Sequence, residues 1–155
     1  MIKALLEAHP YEEVAYEIIA LENRQAGIGS GLIGDLTEPL SRPEFLAKLK
    51  KSFGTGVIRH TEGSKHPIKR VALCGGAGSF LISRALALGA DAYVTADLKY
   101  HEFFDAEERL LLCDIGHYES EQFTVDLFYE RLRQKFTNFA VLKTGQVTSP
   151  VLYYT

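Results

Sequence analysis

The chain has 155 residues, 46% hydrophobic and 24% charged, with a formal net charge of −3. This is the make-up of an ordinary globular protein of one domain, or one domain with an appendage, long enough to hold a core without disulfides. It offers nucleic acid no clustered basic face beyond Lys48, Lys50 and Lys51, which read as one solvated helix face, and no apolar run approaches the ~18 residues of a membrane span.

Residues 2–8 read as the tail of an amphipathic helix, with Ile2, Leu5 and Leu6 in phase and no N-cap before them. The early acid Glu7 and the lack of a long apolar stretch argue against a secretory signal. Pro10 ends this helix, and residues 14–21 have the β-branched and aromatic content of a strand. Gly27, Gly29, Gly31 and Gly34 surround a short strand at 31–36 and favour turns or bulges over phosphate binding. Ser41 is a helix N-cap, with Pro43 in the first turn and Glu44 closing a capping box. Phe45, Leu46, Leu49 and Phe53 follow at helical spacing, and Gly54 stops the helix. Residues 57–60 read as a strand and 62–69 as a polar loop.

From residue 69 the pattern is βαβα. Residues 69–74 form a buried strand, 75–79 a glycine turn, 80–88 a helix closed by Gly89, and 92–96 a second strand. A short helix at 100–108, a strand at 110–115 and a long helix at 119–136 follow. Phe123, Leu127, Phe128 and Leu132 make one stripe on that helix. Residues 139–143 read as a last strand and 151–154 as an extended end. The expected fold is α/β: a mixed sheet with helices on both faces. Cys74 and Cys113 lie in apolar runs, read as free thiols, and point to a reducing compartment, the cytoplasm.

In such a sheet ligands collect at the carboxyl ends of the strands, and three ends carry polar residues. Gly75, Gly76, Gly78 and Ser79 suit either a tight turn or close approach of the backbone to an anionic ligand. The strand of small residues runs into Asp97, Lys99, Tyr100 and His101, an acid, a base and an imidazole within five positions; a functional cluster and the plain reading, an N-cap with a partly exposed histidine, weigh about equally. His117 and Glu121 are four residues apart, so they share a face once the helix has begun. An imidazole and a carboxylate at that spacing are able to ligate one divalent ion, Zn, Mn or Fe. The spacing equally serves an ordinary i,i+4 pair, and most sites need a third ligand. Asp114 is a candidate whose direction the sequence does not give.

Four segments together resemble a known family. They are Ala8-His9-Pro10-Tyr11-Glu12-Glu13-Val14-Ala15-Tyr16 with Gly31-Leu32-Ile33-Gly34-Asp35-Leu36, then Val71-Ala72-Leu73-Cys74-Gly75-Gly76-Ala77-Gly78-Ser79, then Thr95-Ala96-Asp97-Leu98-Lys99-Tyr100-His101, then Gly116-His117-Tyr118-Glu119-Ser120-Glu121. In order and spacing they are similar to the Nif-three-like proteins, dinuclear-metal proteins also known as type 2 homologues of GTP cyclohydrolase I. The resemblance implies that residues 37–155 are the C-terminal half of that domain. Residues 1–36 would be a helix–strand remnant of its ferredoxin-like, PII/CutA-like insert. It implies metal ligands at His117 and Glu121, two divalent ions per site in the full-length family, and a proton-transfer or supporting role for His101. Gly75, Gly76, Gly78 and Ser79 would border a small-molecule substrate such as a nucleotide. Family members also supply an adjacent His pair from an N-terminal half, and no such pair occurs here. The expectation is therefore a fragment, a truncated product or a misplaced start, inactive alone, with an exposed apolar patch that favours a homo-oligomer. A regulatory or protein-interaction module, and a remnant without activity, are the alternatives.

Overall fold

The computed structural model describes residues 1–20, 22 and 27–154. Helix α1 spans Ile2–Ala8, and the segment at residues 14–20 is not a strand. Ile18 and Ile19 stay exposed, and among the described residues no strand pairs with them, so β-branched composition alone does not make a strand there. Leu21, the last residue of that expected strand, lies outside the described residues, as do positions 23–26 of the expected remnant. The expected division after residue 36 falls inside strand β1, Leu32–Leu40.

Ser41 caps helix α2, Arg42–Phe53, as the sequence implies: its N–H donates to Glu44 Oε2 at 2.9 Å, and Gly54 closes the helix at φ 64°. The Ser41 hydroxyl and N–H together hold the Glu44 carboxyl below its ordinary range. Strands β2 (Arg59–His60), β3 (Ile68–Ala77), β4 (Ala92–Ala96) and β5 (Leu111–Asp114) complete the sheet. Its order is β1-β3-β4-β5-β2. β3, β4 and β5 are parallel neighbours, and β1 and β2 pair antiparallel at the two edges, so the sheet is mixed.

Both faces of the central strands are covered, which is why they read as unbroken apolar runs. Tyr93, Leu110 and Leu112 pack with Ala72, Cys74 and Ile82 under helix α3, Ile82–Ala87. Ala92, Val94, Leu111, Cys113 and Ile115 pack with Phe45 and Leu49 of α2 on the other face. Cys74 and Cys113 are free buried thiols, and burial pushes the Cys113 thiol up to about 12.

Three expectations about elements are corrected. The glycine turn at residues 75–79 begins later than the sequence implies, because β3 continues to Ala77 and a 3₁₀ turn at Ser79–Leu81 leads into α3. The extension is held by hydrogen bonds at Gly76: its N–H donates to Ser120 Oγ at 2.9 Å and its carbonyl accepts from Thr95 Oγ1 at 3.0 Å. The long helix is two, α4 at His117–Glu121 and α5 at Thr124–Lys135. At the break Gln122 Nε2 donates to the Phe53 carbonyl at 2.8 Å, and the Phe123 ring meets Phe53 edge-on. α5 buries no residue, and Phe123, Leu127, Phe128 and Leu132 stay exposed. Residues 139–143 are not a strand: Phe139 and Leu142 stay exposed, and among the described residues no strand pairs with them. Among the described residues no helix is long and apolar enough to cross a membrane.

Candidate metal centre

The parallel strands β3, β4 and β5 end side by side, and the sequence places a different chemical group at each end. β3 brings Gly75 and Gly76. β4 runs into Asp97. β5 ends at Asp114, from which Ile115 and Gly116 lead to His117, the first residue of α4.

Asp114 fixes this junction. It is buried, and its Oδ2 accepts the Leu98 N–H at 2.9 Å and an Arg59 guanidinium N–H, while its Oδ1 accepts the Gly116 N–H at 3.1 Å. Arg59 also donates to the Leu98 carbonyl at 2.8 Å and lies over the Phe103 ring. Asp114 therefore holds the backbone after β4 and β5, and its oxygens are turned away from a metal-ligand role. Gly116, at φ 93°, makes the reversal that starts α4.

His117 and Glu121 then meet on one face of α4, with Nε2 and Oε2 3.2 Å apart. The other ring nitrogen, Nδ1, is 2.7 Å from Asp97 Oδ2. The three side chains are each about half exposed. Hydrogen bonding to Asp97 raises the His117 pKa above its ordinary value, burial opposes this, and the charges of Asp97 and Glu121 add to the rise. Ser120 ties α4 to the sheet by accepting from the Gly76 N–H and donating to the His117 carbonyl at 2.8 Å.

The glycines of β3 are shaped by these neighbours. Gly76 has φ +62°, and a Cβ there would lie 2.5 Å from Glu121 Oε1 and 3.1 Å from His117 Cε1. Its bare Cα is what lets the pair stand against the sheet. A Cβ on Gly78 would collide with the Thr95 hydroxyl and lie 2.5 Å from the Tyr93 hydroxyl, which donates to the Gly78 carbonyl at 2.7 Å. A Cβ on Gly75 would make only ordinary contact with Glu121, at 3.6 Å. Ser79 opens the 3₁₀ turn, and its hydroxyl, after the Lys99 N–H, helps hold the Glu102 carboxyl below its ordinary range. His101 sits exposed on a 3₁₀ helix, Tyr100–Ala106, edge-on to the Tyr100 ring. Among the described residues no hydrogen bond joins it to the His117 cluster.

Zinc takes nitrogen and carboxylate ligands at about 2.0–2.2 Å, so two donors on one tetrahedral ion stand roughly 3.3 Å apart. The 3.2 Å between His117 Nε2 and Glu121 Oε2 fits a pair sharing one ion. Asp97 is on the far nitrogen and is not a third donor to that ion. Among the described residues no group of three or more His, Cys, Asp or Glu side chains is placed to hold a metal. His117 and Glu121 thus stand as two neighbouring donor side chains.

Sequence reasoning singled out Asp97 at its strand end but missed its contact with His117, and it missed the role of Ser120, which carried no signal of its own. Tyr153 was missed as well. Its hydroxyl reaches within 3.1 Å of where a Gly116 Cβ would be, and burial, then the charges of Glu119 and Asp114, raise its pKa.

A model of the family described as Duf34/NIF3 (NGG1p interacting factor 3) matches residues 3–150. A Staphylococcus epidermidis protein named "GTP cyclohydrolase 1 type 2 homolog" is 38% identical over 117 residues, covering 75% of this chain and 32% of the relative. A Bacillus subtilis protein of the same name is 38% identical over 119 residues, again covering 32% of its length. The chain thus spans about a third of the length of these relatives. Among solved structures, a Bacillus cereus protein related to NIF3 is 33% identical with a TM-score of 0.71, covering 99% of this chain and 43% of that one.

Proposed function

The chain belongs to the Duf34/NIF3 family, and we propose that it supplies His117 and Glu121 to the divalent-metal centre of a hydrolase-like protein of the GTP cyclohydrolase 1 type 2 kind. The observation that carries this is the 3.2 Å separation of His117 Nε2 and Glu121 Oε2, with Nδ1 engaged elsewhere. Zinc, manganese or iron suits this mixed pair, and two such ions per complete site is the expectation. When bound, such an ion lowers the pKa of a coordinated water and polarises a small-molecule substrate, a nucleotide in this reading.

The chain's own residues do the holding. Asp114 and Arg59 set the path of the backbone into α4. Ser120 pins α4 to β3, and Gly76 makes room for the pair. Gly75, Gly78 and Ser79 line the same strand end, on the side where the substrate is proposed to lie. His101 is the candidate for proton transfer, carried on the helix that follows Asp97. The remaining ligands come from other copies of the chain or from sequence corresponding to the rest of the longer relatives. The exposed apolar stripes of α1 and α5 support a homo-oligomer. They also support the second reading, a regulatory or protein-interaction module without catalysis. The free buried thiols support a cytoplasmic setting.

Supplied with GTP and zinc, the isolated chain is expected to give no turnover, because two donors bind an ion without completing a dinuclear catalytic centre. Measurable turnover by the chain alone would overturn the expected inactivity, and turnover that persists in His117→Ala would overturn the metal reading as well.

A further inference from the structure

Asp97 has φ 56°, a left-handed backbone conformation that residues other than glycine rarely adopt. It stands directly after β4, between Ala96 and Leu98, both buried. The Leu98 N–H is anchored on Asp114, so the backbone at Asp97 is not free to relax. The left-handed turn is what carries the Asp97 carboxylate out of the strand end and onto the His117 ring, with Oδ2 2.7 Å from Nδ1. Asp is one of the few side chains that tolerate this conformation.

A carboxylate only accepts hydrogen bonds, and both ring nitrogens face one; the shorter contact, 2.7 Å on Nδ1 against 3.2 Å on Nε2, places the single proton of the neutral ring on Nδ1. In the neutral ring the lone pair is then on Nε2, the nitrogen that faces Glu121 Oε2 across 3.2 Å. Ligating histidines are commonly oriented in this way by a carboxylate on the opposite nitrogen. We infer that Asp97 is a positioning residue whose left-handed backbone fixes the tautomer of His117, making Nε2 the nitrogen that takes the metal. This rests on the metal-binding reading above, but the tautomer is measurable without metal.

The test uses the ¹⁵N-labelled metal-free chain at alkaline pH, where the rings are neutral, with the His117 signals identified by their loss in His117→Ala. Long-range ¹H–¹⁵N spectra are expected to show the proton of His117 on Nδ1. Asp97→Gly keeps a residue suited to φ 56° while removing the carboxylate. Its His117 is expected to shift toward the Nε2–H form, its thermal midpoint to be unchanged or raised, and its zinc affinity to fall about 10- to 100-fold. Asp97→Asn, which keeps an acceptor without the charge, should recover part of both signals. A merely structural role for Asp97 would lower the thermal midpoint and leave the tautomer alone. An Nε2–H ring in the unmodified chain, or an unchanged tautomer or unchanged zinc affinity in Asp97→Gly, would overturn the inference. If the unmodified chain binds no zinc but has the Nδ1–H ring that Asp97→Gly loses, the tautomer assignment holds and the metal reading fails.

Discussion

Asp114→Ala is expected to cost about 3 kcal/mol of stability, the largest loss from any single side chain at the site. The carboxylate is buried and accepts from the Leu98 N–H, the Gly116 N–H and Arg59. Truncation leaves the Leu98 donor orphaned inside the protein and the Gly116 donor partly so, and each such group costs about 1–3 kcal/mol. Arg59 is 55% exposed and recovers water, so its ion pair adds little to the sum. The same substitution frees the two chain segments that carry Asp97 and His117, so zinc binding should fall with stability. Denaturant unfolding monitored by circular dichroism measures the first effect. A loss below about 1 kcal/mol would show that these donors find other partners.

Gly76→Ala is expected to separate strain from function. The residue has φ +62°, so alanine costs about 1 kcal/mol of backbone strain. Its Cβ would also lie 2.5 Å from Glu121 Oε1, forcing that carboxylate away from His117. Zinc affinity should then drop about tenfold or more, as for loss of one well-placed ligand contact. Gly89→Ala is the matched control: Gly89 has φ +69° and nothing within 4 Å of its Cβ position. Both variants should lose similar stability, and only Gly76→Ala should lose zinc affinity in a calorimetric titration. Equal zinc affinity in the two would remove Gly76 from the account of the site.

The parts of the fold that were legible in the sequence are those where local chemistry and tertiary packing agree. Ser41, Pro43, Glu44 and Gly54 specify α2 almost residue by residue, because caps act within one turn. β4 is read at its observed bounds because a strand buried on both faces is an uninterrupted apolar run. Where the outcome depends on a distant neighbour, the sequence is silent. Nothing local says that Gly75 and Gly76 remain in β3; Ser120 and Thr95, from other elements, decide it. The break between α4 and α5 is set by Phe53 across the molecule. The apolar residues at 14–20 and 139–143 read as strands, but among the described residues neither segment pairs with the sheet, whose edge strands are β1 and β2.

The candidate site divides in the same way. His117 and Glu121 were legible because one helical turn brings them together, and the resemblance gave them a role. Asp97 was legible as a polar strand end, but its contact with His117 was not, since a left-handed residue there has no sequence signature when it is not glycine. Asp114 looked like a possible third ligand, and only its three bonded donors assign it to the scaffold.

The most direct test of the central claim is equilibrium zinc binding by the purified chain beside His117→Ala and Glu121→Ala, with unfolding curves to show that all three are folded. The account predicts measurable zinc binding that weakens at least about tenfold in each variant. Zinc bound equally well by all three chains would contradict it, and the conjunction of His117 and Glu121 on α4 would then be an ordinary helix pair.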